Sequence, residues 1–154
     1  MSIESDLFNR LCNFNQLAAL VGTRVYPLHA KQSDTLPFVV YQRISTKYVS
    51  AMGADRSDTS ARFQFDCFGT TFDEAKAVAL QVRLALQRYQ SSEVAGLLLS
   101  EEQDEILTED SQAALLLEGD QGIIDAFVLN ENDFFEDAPL LYRSQIDFRI
   151  HFLT

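Results

Sequence analysis

Carboxylates are the first side chains to test for chemistry in this sequence. Fourteen Asp and Glu fall between residues 91 and 137, a segment with no Lys or Arg. Two carboxylates can divide general acid and base work when their surroundings push their pKa values apart, and carboxylate oxygens are calcium ligands. The spacing singles out no pair among the fourteen. Glu101-Glu102-Gln103-Asp104-Glu105 and Asn130-Glu131-Asn132-Asp133 are dense enough for adventitious cation binding. Neither has the central Gly and terminal Glu of an EF-hand loop. The crowding reads as a solvated or interface surface.

The other reactive side chains are few. Cys12, His29, Cys67 and His151 are too far apart in sequence for a structural zinc site, which needs about four closely spaced ligands. The two cysteines read as small buried hydrophobes. His29 falls in a polar connection and His151 on the polar side of a strand. Arg43, Arg62 and Arg149 also lie on polar strand faces, within cross-strand reach of Asp66 and Asp147. No G-x-S-x-G, P-loop or G-x-G-x-x-G is present. The sequence therefore predicts no catalytic residue, no metal and no cofactor.

Charge narrows the partners. The net charge is −11, which argues against binding the outside of a nucleic acid, where phosphates demand a basic footprint. Residues 91–137 hold all of the excess; the remainder carries nine acids against twelve bases. At 154 residues the chain suits one domain, residues 1–154, with 91–122 as an acidic insertion. No run of eighteen apolar residues suggests a membrane span. The acidic, polar start, Met1-Ser2-Ile3-Glu4-Ser5-Asp6, lacks the features of a secretory signal, so a chain made and folded in a cytosol is expected.

The elements that would position these side chains follow from periodicity. Residues 61–89 give the clearest signal. Phe63, Phe65 and Cys67 alternate with Arg62, Gln64 and Asp66, as in a half-buried strand. After Gly69, Thr71 and Glu74 form a T-x-x-E capping box, in which the glutamate should reach back to the cap. Ala75, Val78, Ala79, Val82, Ala85, Leu86 and Tyr89 then share one helical face. Residues 3–21 read as one helix, with Leu7, Leu11, Phe14, Leu17, Ala18 and Val21 in phase and Gly22 as the stop. Residues 23–27 form a short extended exit. Residues 36–48 read as a strand, and 49–60 as a mobile connection to the next. Residues 94–99 suggest a short strand. Residues 123–129 read as a weak strand, 130–138 as a polar turn and 140–152 as the strongest strand of all. The sum is an α+β domain with a mainly antiparallel β-sheet and two helices packed on one face.

Several of these stretches also resemble a known family. Leu129-Asn130-Glu131-Asn132-Asp133-Phe134-Phe135-Glu136-Asp137, followed by Leu141-Tyr142-Arg143-Ser144-Gln145-Ile146-Asp147-Phe148-Arg149-Ile150, resembles the C-terminal region of the tail completion or tail terminator proteins of long-tailed bacteriophages. Val25-Tyr26-Pro27, Leu36-Pro37-Phe38-Val39-Val40-Tyr41, Phe63-Gln64-Phe65-Asp66-Cys67-Phe68 and Phe72-Asp73-Glu74-Ala75 follow in the same order as in that family. The likeness covers residues 5–90 and 123–152. The acidic stretch near 96–122 is longer than the family leads one to expect. The resemblance implies a structural virion protein that forms a ring, typically a hexamer, on the head-proximal end of the tail tube. It would end tube polymerisation and offer a surface to the head–tail connector protein. Phage DNA would pass through without specific binding, and like charge on an acidic lumen would keep it from sticking.

Contact residues for such an assembly are expected on the flanks of the 61–89 unit. They are Met52, Asp55, Arg56 and Asp58 in the connection, Glu101, Glu102, Asp104 and Glu105 in the acidic insertion, and Asp133, Phe134, Phe135 and Glu136 in the turn. Two other readings stand beside the tail terminator. One is a head-side connector or closure protein. The other is an acidic DNA-mimic inhibitor of a host protein, which the 91–137 charge motivates.

Overall fold

The computed structural model describes residues 2–31, 33–49, 58–91, 122–137 and 140–153. Three helices and five strands follow in the order α1 (Ile3–Asn13), α2 (Asn15–Val21), β1 (Val25–Pro27), β2 (Phe38–Val49), β3 (Asp58–Gly69), α3 (Phe72–Leu86), β4 (Ile123–Asp137) and β5 (Leu140–Leu153). The strands form one sheet in the order β1-β2-β3-β5-β4. Only the β1–β2 pair is parallel; the other three are antiparallel. The expected α+β class with a mainly antiparallel sheet is what the chain adopts.

The strand β3 is the axis of the sheet. Its alternation sends Ala61, Phe63, Phe65 and Cys67 to one face, where all are buried. Phe63 lies opposite Phe148 and Phe65 opposite Ile146 on β5, and Tyr41 of β2 stacks on Phe65 at 6.1 Å between ring centroids. Val78, Ala79, Val82, Ala85 and Leu86 of α3 cover this face, joined by Ile3, Leu7 and Leu11 of α1 and Leu17 and Val21 of α2. Each large side chain so buried contributes about 1.5–3 kcal/mol through removal of apolar area from water.

Local signals set the helix ends. Ser2 accepts the Ser5 N–H at 3.3 Å and caps α1. Thr71 accepts the Glu74 N–H at 3.2 Å and caps α3. The glutamate does not close the box on the cap itself. Its Oε2 accepts the backbone N–H and the hydroxyl of Thr70, both at 2.7 Å, one residue earlier. Gly69 permits this tight entry: a Cβ there would stand 2.7 Å from the Ala75 nitrogen. Gly22 ends α2 at φ +59°, ψ −122°, a region that side chains rarely tolerate.

Four expectations need correction. The single helix over 3–21 is two helices, because Phe14 takes an extended conformation (φ −81°, ψ 105°) that ends α1 and starts α2. Among the described residues, three helices therefore cover the sheet, not two. The exit at 23–27 contains a true strand, β1. Residues 130–138 are not a turn: β4 runs without a break to Asp137, paired to Leu140 of β5. The connection expected at 49–60 is shortened at both ends, since Val49 pairs with Asp58. The strand expected at 94–99 and the acidic insertion lie outside the described residues.

Two arginines fasten the helices to the rest. Arg10 donates from Nε to the Ala85 carbonyl at 2.8 Å, and its guanidinium lies over Phe14 and Tyr89 at 5.3 and 4.9 Å from the ring centroids. Arg24 donates to the carbonyls of Pro37, at 2.9 Å, and Leu20, at 3.2 Å, and so ties the end of α2 to the start of β2.

Candidate functional site

Of the twelve residues expected to make partner contacts, four lie together on a described surface. Asp133, Phe134, Phe135 and Glu136 occupy the outer half of β4, the edge strand of the sheet. Asp58 is the first residue of β3, opposite Val49 and Leu153. Met52, Asp55, Arg56, Glu101, Glu102, Asp104 and Glu105 lie outside the described residues.

The outer half of β4 protrudes beyond the core. Residues 123–128 are buried or half-buried, whereas nearly all of 129–137 is exposed. Successive side chains in a strand point to opposite faces. Phe135 and Asp133 therefore stand on the helix side of the sheet and Phe134 and Glu136 on the other. Phe135 packs on Tyr142, 4.9 Å between ring centroids, and Tyr142 meets Phe72 of α3 edge-on at 6.3 Å. Phe134 lies under the guanidinium of Arg143, 4.7 Å from its centroid, and Arg143 also pairs with Glu136 at 3.3 Å. Both phenylalanines keep nearly half of their surface in water, 41% for Phe134 and 50% for Phe135. Such exposure leaves apolar area for a partner to bury.

Ion pairs fix this half-strand to α3. Lys76 Nζ reaches Asp133 at 3.2 Å, and Arg83 stands 3.9 Å from Glu131. Asp133 accepts a further hydrogen bond from the Ser144 hydroxyl at 2.8 Å. The sequence does not single out Lys76 or Arg83, and it marks Glu131 only within the acidic run at 130–133. The signal was present in the basic side of α3, but its partner is visible only once β4 is known to be a strand.

The sheet face away from the helices carries the remaining polar chemistry. Arg62 pairs with Asp147, as the cross-strand expectation required, and Asp147 is 2% exposed. Gln64 donates to Asp66 at 3.1 Å. Burial pushes the Asp66 carboxyl above its ordinary range; the Gln64 hydrogen bond and the Arg143 charge oppose this, and Asp147 and Glu136 reinforce it. Arg43 does not turn to Asp66 or Asp147. It pairs with Glu4 of α1 and its guanidinium lies over Phe63, on the helix side. His151 meets Phe127 edge-on at 6.0 Å.

The cysteines do not form a reactive centre. Both are free thiols, Cys67 fully buried and Cys12 partly so, and burial raises the pKa of each. A thiolate is the nucleophile and metal ligand, so these shifts lower reactivity. Among the described residues, no group of three or more His, Cys, Asp or Glu is arranged to hold a metal ion. None of the described helices is long and apolar enough to cross a membrane.

Comparison with known proteins points in one direction. Residues 5–152 match the family described as tail completion protein gp17. Among solved structures, a chain from the virion of a native gene transfer agent particle has a similar fold, with a TM-score of 0.66 at 17% sequence identity. The match covers 99% of this chain and 96% of that one. No curated protein matches the sequence.

Proposed function

This chain belongs to the tail completion protein gp17 family and is a structural protein of a phage tail, and from that premise we propose that it caps the head-proximal end of the tail tube. The cap is a ring of identical subunits, with six as the expected number. It ends tube polymerisation and presents a surface to the head–tail connector protein. The observation that carries this reading is the family match over residues 5–152. The fold supports it through the protruding outer half of β4, which offers Phe134, Phe135 and four acidic side chains at one end of the molecule.

A ring requires a heterologous contact, in which one patch meets a different patch on the next subunit. The two outer strands, β1 and β4, differ in length and chemistry, as such a contact needs. The net charge of −11 suits a conduit for DNA, because like charge limits adhesion of phosphates to the wall.

The test is an assembly reaction with purified tail tube protein. Adding this chain should shorten the tubes and leave a ring at one end of each, seen by negative-stain electron microscopy. Tubes that grow to the same length with and without the chain would overturn the capping role. Binding to the head-side connector complex, with no binding to tubes, would move the protein to the head side of the joint.

A further inference from the structure

Each outer edge of the sheet is half covered and half open among the described residues. On one side, β1 pairs with β2 only from Val39 to Tyr41, and the Leu28 N–H adds one bond to the Tyr41 carbonyl. Beyond Tyr41, no described strand lies on that side of β2. On the other side, the segment after α3 covers the start of β4. Arg88 and Ser91 donate backbone N–H groups to the carbonyls of Ala126 and Ile123, and the Gln87 side chain accepts the Val128 N–H. Beyond Val128, no described strand lies on that side of β4.

The open halves lie at opposite ends of the sheet. Asp133, in the middle of the open part of β4, is level with Cys67 of β3 through Ser144. Thr46, in the middle of the open part of β2, is level with Ala61. Six residues of β3 separate those levels, about 20 Å at a rise of ~3.3 Å per residue.

Their chemistry is complementary. Residues 129–137 carry Glu131, Asp133, Glu136 and Asp137 and no base, whereas residues 42–49 carry Arg43 and Lys47 and no acid; Glu131, Asp133, Glu136 and Arg43 also hold ion pairs within the subunit. Both show apolar side chains to water: Leu129, Phe134 and Phe135 on β4, and Ile44 and Tyr48 on β2. An open strand edge of this kind is a template for another strand.

We infer that the open half of β4 pairs with the open half of β2 in the next copy of this chain, continuing the sheet from subunit to subunit. This rests on the ring reading above. Strand directions permit it: three antiparallel steps separate β2 from β4, so a copy rotated without inversion presents β2 antiparallel to β4. Matching the two centres sets Asp133 opposite Thr46 and Glu131 opposite Tyr48 on the helix side, and, with Ile44 passed over as the bulge residue it already is against β3, Phe135 opposite Arg43. On the other face it sets Asn132 opposite Lys47, Phe134 opposite Ser45 and Glu136 opposite Gln42. No like charges face each other, and the side-chain faces agree, as a fixed register demands. The stagger also suits closure. A shift of about six residues for every four strands (β2, β3, β5 and β4), spaced ~4.8 Å, inclines the strands by about 45° to a ring axis, at the upper end of the range of closed barrels.

Cysteine cross-linking tests the pairing. Lys47 and Asn132 are both exposed, and directly opposed strand residues lie within disulfide reach. Lys47→Cys and Asn132→Cys proteins, mixed and oxidised, should give a disulfide-linked dimer that neither gives alone. The double variant should give a covalent ladder that stops at the ring size. If light scattering shows rings but the mixture does not cross-link, the pairing is wrong and the ring stands. Self-linking of the Lys47→Cys protein would indicate a two-fold contact and overturn the pairing as well. A chain that stays monomeric at all concentrations and beside tube protein overturns the ring and this pairing with it.

Discussion

Lys76 Nζ on α3 lies 3.2 Å from the Asp133 carboxylate on β4 and ties the protruding half of an edge strand to the helix layer. Both side chains are about 40% exposed, so water screens the attraction. A double-mutant cycle with Lys76→Met and Asp133→Asn should give a coupling of about 0.2–1 kcal/mol, read from urea unfolding. The larger effect should be local. Amide exchange over residues 130–137 should quicken in Lys76→Met, while exchange in β3 stays at the parental rate. Equal protection of 130–137 in both proteins would show that pairing with β5 alone holds this half-strand.

Val82 is fully buried where α3 covers the sheet. Val82→Asp places an unpaired charge in that core, and the expected cost is about 4 kcal/mol or more, enough to unfold the subunit. Val82→Ala removes only apolar atoms and should fold with a loss of about 1–3 kcal/mol. Circular dichroism and urea unfolding separate the two. A folded Val82→Asp protein would mean that this face of α3 is not held against the sheet.

These contrasts show how far local sequence reaches. The β3–α3 unit was legible because its signals are local: alternation at Phe63, Phe65 and Cys67, a cap at Thr71, and an apolar stripe through Val82. The break at Phe14 was not, because Leu11, Phe14 and Leu17 keep helical phase across it and no Gly or Pro marks it. The outer half of β4 was misread for a related reason. Asn130, Asn132, Asp133 and Asp137 disfavour strands, and they are extended because β5 pairs with them along the full length. Phe134 and Phe135 stand out in the sequence as adjacent aromatics in a polar stretch, and the resemblance includes them. Ile44 and Tyr48 were missed, because exposure on an open edge is a property of the assembled sheet.

Asp66 should make stability depend on pH. Burial raises its carboxyl above the ordinary value of 3.8, so the folded state holds the proton more tightly than the unfolded state. Stability is then highest, for this group, below the unfolded value. It declines as pH rises towards the folded value, and the full penalty is present above it. Asp66→Asn removes the titration and keeps an acceptor for Gln64. It should be the more stable protein at pH 7, and its advantage should disappear below about pH 4 in urea unfolding across a pH series. An advantage that stays constant with pH would assign the effect to something other than ionisation of Asp66.

Phe134 and Phe135 should matter more to assembly than to folding. Neighbours in sequence, they stand on opposite faces of the same edge strand and are 41% and 50% exposed. Half-burial limits what each contributes to the free subunit. Phe134→Ser and Phe135→Ser should each cost about 1 kcal/mol, with Phe135→Ser the larger because it leaves Tyr142 uncovered on one side. Burial of both rings at a contact raises the stakes there, since aromatic anchors commonly cost 2 kcal/mol or more when truncated. Each variant should therefore cap tubes at least about tenfold less well than the parent at equal concentration, with a urea midpoint close to the parent's. Tube-capping titrations followed by electron microscopy, beside unfolding curves of the same preparations, give both numbers. Undiminished capping by the double variant would remove this half of β4 from the assembly surface.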